Sequence, residues 1–419
     1  MTVRNRIRSV ALVDQLGPGL ITGAADDDPS GIATYSQAGA QFGFGLLWTM
    51  VLSYPLMCAV QLVSAHIGRV TGCGLSKNMA QVIWRPAVTG LVVLLFVANT
   101  INIGADLAAM GSAAELTFGI SAHVMTVAFA VGSLMLQLFV AYRRYAAFLK
   151  WLTLALFAYV ALLLVIHVEW RDVLGGLVPQ LDGAKSVSFI VAIFGTTISP
   201  YLFFWQSAQE VEEVAQKPDA KPLLKAPEQA RSEFRRIRID TLVGMAVSNL
   251  VAIAIIIGTA ATLHQSGRTI ETAADAATAL EPVAGRFAYL LFSLGIIGTG
   301  LLAVPVLAGS AAYAVGETRD WKCGLEHKPW EAVGFYSIIA AATILGVVID
   351  WSSLDPIKAL FYSAIVNGVV AVPIMAVMMV VVSRRDTMGR FTAPRRLLAL
   401  GWIATGVMAA AAVAMVVLP

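Results

Sequence analysis

Ala24-Ala25-Asp26-Asp27-Asp28-Pro29-Ser30-Gly31 interrupts an apolar run that begins near Gly17 and ends near Phe44. If that run crosses a membrane, each carboxylate at mid-depth costs roughly 3 kcal/mol on insertion scales. The Pro-Ser-Gly step also frees backbone amides and carbonyls that lipid cannot satisfy. Such a stretch is tolerated only where it faces protein or a watery cavity, and there a broken helix becomes an ion site. The competing reading is a soluble loop between two short helices. The rest of the chain decides between them.

Of 419 residues, 58% are hydrophobic and 13% charged, with a mean hydropathy of +0.77. Soluble domains carry about 25% charged residues, so the composition is that of an integral membrane protein. Several runs exceed the roughly 20 apolar residues that span a bilayer. The short basic N-terminus leads into the first apolar run without a small-residue cleavage site, so no cleavable signal is expected. Cys58, Cys73 and Cys323 are scattered, which points to neither a disulfide framework nor a zinc site.

Eleven hydrophobic segments are expected, at about 18–43 (broken), 45–67, 89–112, 121–141, 145–167, 187–213 (broken), 241–263, 287–314, 332–349, 357–382 and 397–418. With the N-terminus inside, 24 of the 29 Lys and Arg residues fall on inward-facing stretches. That asymmetry follows the positive-inside rule, and a missed span would scramble it. The chain is therefore expected in the plasma (inner) membrane as a multi-pass protein, N-terminus cytoplasmic and C-terminus outside. The longest basic loop, Ala215 to Asp240, is read as a topological anchor with an exposed amphipathic end around Phe234–Arg238. No aromatic platform accompanies its charge, which argues against a nucleic-acid partner. Trp48, Trp151, Trp170, Trp351 and Trp402 lie near segment ends, where interfacial anchors sit.

The sixth segment holds a second interruption, Gly195-Thr196-Thr197-Ile198-Ser199-Pro200-Tyr201. Alone it reads equally as a proline kink with hydroxyl help. Its position, five segments after the first break, is what an inverted five-helix repeat predicts, with the two unwound stretches meeting near the bilayer midplane. The expected fold is thus an all-α polytopic membrane protein. A single transmembrane domain would hold a first repeat over about 18–167, a second over about 187–382, and an extra helix over about 397–418. Asp28 beside freed carbonyls and small hydroxyls makes an oxygen-rich anionic site suited to a hard cation.

These motifs resemble the NRAMP family of divalent metal transporters. The family's first-helix pattern, Gly-Pro-Gly, then Asp-Pro-Gly-Asn-Ile and Gln-Ala-Gly-Ala, is met here by Gly17-Pro18-Gly19, Asp28-Pro29-Ser30-Gly31-Ile32 and Gln37-Ala38-Gly39-Ala40. Ala105-Asp106-Leu107-Ala108 resembles its Asp-Leu-Ala-Glu, and the second break stands where the family has Gly-Ala-Thr-Val-Met-Pro-His. The resemblance implies a LeuT-type fold and alternating access. It also implies an ion site at Asp28, with Gly31 at the family's Asn position, Ser199 at its Met position and Thr196 at its carbonyl position. The missing thioether removes the soft ligand that favours transition metals, and the missing side chains are expected to enlarge the site. A pocket lined by Asp28, Ser30, Thr196, Thr197 and Ser199 would suit an ion that keeps several waters, as Mg2+ does. The pattern resembles the NRAMP-related branch that carries Mg2+, with Mn2+ as a possible co-substrate.

Asp26, Asp27 and Asp28 cannot all face one ion, since successive helical residues point about 100° apart. Asp27 either lines a vestibule or pairs structurally. The family's proton route is poorly matched: Tyr201 stands for its helix-six His, Ala109 for its Glu, and the ninth segment lacks Arg. Passive or weakly coupled transport is expected. Asp106 reads as a surviving acid near the site or as a satisfied buried carboxylate. Asn367 reads as a contact to ion-bound water or as a helix–helix hydrogen bond. The alternatives are a proton-coupled Mn2+/Fe2+ symporter and an amino-acid or small-solute symporter of the same fold. No enzyme is expected: the five His residues are dispersed and show no nucleophile–base pattern. No cofactor is called for. The expected partners are a divalent cation and the lipid bilayer, and oligomeric state is not readable.

Overall fold

A computed structural model describes residues 22–23, 25–140, 152–180, 183–351 and 355–418. Among them, nine helices are long and apolar enough to cross a membrane, and they coincide with nine of the expected segments. The other two are the broken first segment and the fifth, whose described part is a shorter apolar helix, Leu154–Val165. Gly17-Pro18-Gly19, Ala24, Trp151 and the basic residues Arg4, Arg6, Arg8, Arg143, Arg144 and Lys150 lie outside the described residues.

The long helices, in order, are α1 (Pro29–Phe42), α2 (Leu47–Thr71), α3 (Arg85–Phe118), α4 (Ala122–Phe139) and α5 (Phe157–Val165). There follow α6 (Gly183–Thr197), α7 (Pro200–Gln216), α8 (Ala230–Thr259) and α9 (Ala288–Thr318). The last are α10 (Val333–Asp350), α11 (Pro356–Ser383) and α12 (Arg395–Val417). Both breaks are written in the sequence as a residue followed by proline. Proline pushes its predecessor out of the helical region and then fits the first helical position, where no amide is needed. Asp28 is accordingly extended (ψ 168°) before α1, and Ser199 (ψ 134°) before α7.

Backbones meet closely where small residues face each other. A Cβ on Gly195 of α6 would lie 1.9 Å from the Ala364 carbonyl oxygen and 2.6 Å from the Gly368 amide nitrogen of α11. Only glycine permits this approach, the device by which helices pack in lipid. It brings the second break against α11, while α1 packs on α8, α6 and α11.

One expectation about the 215–240 loop is corrected. Helix α8 already begins at Ala230, and one face of its charged first turns is docked while Arg231, Arg235 and Arg238 stay exposed. The Arg236 side chain is 12% exposed and pairs with Glu210 (2.6 Å), Glu213 (3.0 Å) and Glu233 (3.0 Å). Phe234 stacks on His66 of α2. Ion pairing at Arg236, together with the packing of Phe234 and Ile237, carries this helix beyond the hydrophobic run.

Candidate functional site

The first break is organised by Asp28. Its Oδ1 accepts the Gly31 amide (2.8 Å) and the Ser30 hydroxyl (2.6 Å), which makes it the N-cap of α1. Its Oδ2 accepts the Asn102 side-chain amide of α3 at 2.9 Å. Asn102 Nδ2 also lies 3.3 Å from Asp106 Oδ2, one turn along α3, and Asn102 Oδ1 accepts from Asn367 Nδ2 of α11 at 3.4 Å. Among the described residues, Asp106 Oδ1 and Asn367 Oδ1 are buried with no hydrogen-bond partner. Unfilled acceptors of this kind, beside a capped carboxylate, are the chemistry that an oxygen-seeking cation satisfies. Asp106 is therefore not the fully satisfied buried carboxylate of one reading.

The three consecutive acids diverge. Asp26 Oδ2 and Asp27 Oδ1 both face the Ser248 hydroxyl of α8, at 2.6 and 3.0 Å. Asp27 is buried here and its carboxylate accepts from the Ser248 hydroxyl of the neighbouring helix.

The second break spends its hydroxyls on its own backbone. Ser199 Oγ donates toward the carbonyls of Gly195 (2.6 Å) and Thr196 (2.9 Å), and Thr197 Oγ1 donates to the Ile193 carbonyl (2.9 Å). The Gly195 and Thr196 carbonyls are among those that the break leaves without helical partners. The Thr196 side chain approaches α1: a Cβ on Gly31 would lie 2.9 Å from Thr196 Oγ1 and 3.2 Å from a Tyr35 ring carbon. The enlargement expected from a glycine at position 31 is thus absent, because α6 and Tyr35 occupy the room. Tyr201 ties the breaks together, its hydroxyl donating to the Ala25 carbonyl at 2.9 Å.

Asp28, Ser30, Thr196, Thr197, Ser199, Tyr201, Asp106, Asn367 and Asn102 are each at most 1% exposed. The structure brings Asp28, Ser30, Gly31, Thr196, Asp106 and Asn367 around one junction, and leaves Thr197 bonded inside α6. Asn102 was not foreseen. Its signal is spacing: Asn99, Asn102 and Asp106 recur on one face of α3, and Asn99 bonds the Leu307 carbonyl and Ser310 of α9.

From the breaks, polar groups continue toward the end of the bundle that carries the basic loops. Thr22 Oγ1 donates to Gln206 Oε1 (2.7 Å), and Gln206 faces Glu210, the fully buried partner of Arg236. Arg69 of α2 joins through Glu233 at 3.2 Å. Beside this network is a cavity of about 250 Å3 lined by Cys73, Lys77, Glu212, Glu317, Asp320 and Cys323 among others. Lys77 lies 2.9 Å from Asp320, which raises the lysine pKa and lowers that of the carboxyl. Burial, with Glu317 and Glu212 nearby, pushes the Cys323 thiol up to about 12.

Residues 19–418 match the family described as Natural resistance-associated macrophage protein-like. A divalent metal cation transporter MntH of Deinococcus radiodurans is 26% identical over 404 residues, covering 93% of this chain and 86% of the relative. The corresponding MntH of Chromohalobacter salexigens is 30% identical over 297 residues, 68% of this chain and 66% of the relative. Among solved structures, a mutant of the Eremococcus coleocola manganese transporter superposes with a TM-score of 0.75 at 18% identity, covering 96% of this chain and 85% of that one. A nucleobase-cation-symport-1 family transporter in a closed conformation gives 0.53 at 15% identity, covering 96% and 91%. The common fold is that of broken-helix transporters.

Proposed function

The chain belongs to the Nramp family, and on that premise we propose that it carries a divalent metal cation across the membrane by alternating access, with the basic end of the bundle in the cytoplasm. The two repeats would span about 18–167 and 187–382, with 397–418 appended. The observation that carries the reading is the junction itself. A buried carboxylate, Asp28, caps one broken helix beside the carbonyls of the other, and a second carboxylate, Asp106, keeps an unfilled oxygen next to it. The substrate would meet Asp28 first, with Ser30, Thr196, Ser199 and the Asn367 oxygen within the same junction.

Every donor in that set is oxygen, and Ser199 brings no soft ligand to the second break. This supports a hard ion, Mg2+ first and Mn2+ as a co-substrate. Tyr201 has its hydroxyl engaged by a carbonyl and is a poor physiological proton acceptor. Transport is accordingly proposed as passive or weakly proton-coupled.

A second reading, a proton-coupled Mn2+/Fe2+ symporter, has its own support. Relatives are named as divalent metal or manganese transporters, and the buried Met110 thioether lies close to Pro29, both approaching Gly300. Uptake into sealed proteoliposomes holding a Mg2+ dye and a pH dye separates the two. Mg2+ entry without acidification supports the first reading. Mn2+ entry with acidification and no Mg2+ entry overturns it in favour of the second.

A further inference from the structure

Asp28 has two kinds of hydrogen-bond partner. Ser30 and Gly31 belong to its own helical turn and travel with it wherever α1 goes. Asn102 belongs to α3, 74 positions away in sequence, and is the partner that reaches in from another helix. Its single NH2 group stands between two carboxylates, 2.9 Å from Asp28 and 3.3 Å from Asp106. The two carboxylates set the orientation, and the Asn367 amide facing the Asn102 oxygen agrees with it. Turned over, Asn102 would set its oxygen against both carboxylates and its NH2 against another NH2, leaving every contact repulsive.

A donor placed between two carboxylates occupies the electrostatic position of a cation. We propose that Asn102 is a positioning residue that stands in for the substrate, satisfying Asp28 and Asp106 when the site closes empty, and that it gives way when a cation enters. This rests on the reading of Asp28 as a substrate ligand. Net transport by an alternating-access carrier requires the empty site to close and reopen on the other side. Exchange of one cation for another does not, since the site is loaded in both directions. Without Asn102 the empty site would have to close over a carboxylate that has lost its cross-helix donor, at the expense of a buried charged acceptor. Asn102 would thus supply, with a neutral side chain, the compensation that a coupled carrier obtains from a co-transported proton.

The test uses the full chain in proteoliposomes with Mn2+ as probe. Net Mn2+ uptake into metal-free vesicles is compared with radioactive manganese exchange at equal concentrations on both sides. Asn102→Leu, which keeps the bulk and removes the donor, should lower the ratio of net uptake to exchange at least about tenfold, the factor set by one hydrogen bond to a charged group. Asn102→Ser keeps one short donor that cannot reach both carboxylates, and should lower the ratio less; it serves alone if the leucine variant does not fold. A ratio unchanged in the folded variants, whether both rates fall together or neither falls, overturns the inference: Asn102 would then be a ligand or a packing residue. A wild-type protein that moves neither Mn2+ nor Mg2+ would instead remove the transport reading beneath it.

Discussion

Replacing Asp28 by Asn and by Ala separates two roles that the structure superimposes on one carboxylate, capping α1 and holding a cation. In Asp28→Ala, the Gly31 amide, the Ser30 hydroxyl and the Asn102 amide lose their common acceptor in a fully buried place. The hydroxyl re-aims easily, but the other two donors cost about 1–3 kcal/mol each, so the variant should lose about 2–6 kcal/mol of stability. In Asp28→Asn, Oδ1 still caps the helix, for which Asn is as good as Asp. Only the Asn102 contact turns from donor–acceptor to donor–donor, so the loss should be confined to that one contact, about 1–3 kcal/mol. A residue that only caps would give a nearly normal transporter as Asn and a damaged one as Ala. A ligand charge predicts otherwise: both variants lose uptake at least about 100-fold, roughly 2.7 kcal/mol, although Asp28→Asn stays folded. Thermal unfolding in detergent and divalent-cation uptake in proteoliposomes, measured on the same preparations, decide the matter. A stable Asp28→Asn protein that retains more than about a tenth of wild-type uptake, under one factor of ten lost, would refute the ligand assignment.

Gly31→Asn combined with Ser199→Met should shift preference from Mg2+ toward Mn2+ by about tenfold in competition uptake; Thr196 must rotate to admit the new side chain, and an unshifted ratio would tell against the ligand-softness argument. Arg236→Met leaves Glu210 buried and unpaired, so thermal unfolding should show a loss of about 3–5 kcal/mol. Adding Glu210→Gln should recover part of that loss, and strict additivity of the two changes would deny their coupling. Cys323, held near 12, is about one part in 10,000 thiolate at pH 8. Its alkylation, followed by mass spectrometry, should therefore rise about tenfold per pH unit up to pH 10 without levelling, and a plateau near pH 9 would contradict the burial. Tyr313→Phe removes the hydroxyl bonded to Glu212, and should raise labelling of Cys73 and Cys323 about fivefold at fixed pH, a loss of about 1 kcal/mol from the contacts closing that end. Unchanged labelling would mean that this bond does not hold the end shut.

Much of the fold was legible because two local rules coincided with membrane thickness. Asp28-Pro29 and Ser199-Pro200 mark helix restarts by backbone sterics alone, and the apolar runs between basic loops set the spans. The early start of α8 was not legible, because residues 230–240 offer only a short apolar stripe of Ala230, Phe234 and Ile237 among many charges. Their helix is held by Arg236 meeting glutamates from α7, and no local pattern announces a tertiary ion pair. Ser199 shows a different limit. Its residue type and place did not show that the break's own carbonyls would take its one proton, which fixes the hydroxyl's direction and leaves only its lone pairs for a cation. Gly31 shows a third: a missing side chain leaves a gap only if nothing else moves in, and Thr196 has done so. Asn102 was within reach, since a mid-span amide one turn before an acid, on the face shared with Asn99, is costly in lipid unless it has a partner.

The polar bonds also sort the helices into two groups. Asp26 and Asp27 to Ser248, Tyr201 to the Ala25 carbonyl, Thr22 to Gln206, Glu210 to Arg236, and Glu233 to Arg69 tie the first break to α2, α7 and α8. Asn99 to Ser310, Thr117 to Ser293, and Asn367 to Asn102 tie α3 to α9 and α11. Bonds between the groups occur at two depths. Asp28 meets Asn102 at the centre, and at the basic end Glu212 meets Tyr313 while Glu317 accepts the Ser76 amide. Moving one group against the other leaves the internal bonds intact and must break these. A cation can bias such a movement only through contacts that differ between the two arrangements. The central bond is such a contact, because a cation held by Asp28 replaces the Asn102 donor, and its loss then exposes no unpaired charge. On the proposed mechanism, the basic-end bonds are contacts that any such movement must break without help from the ion, while the Asp28–Asn102 contact is the one that a bound ion would change.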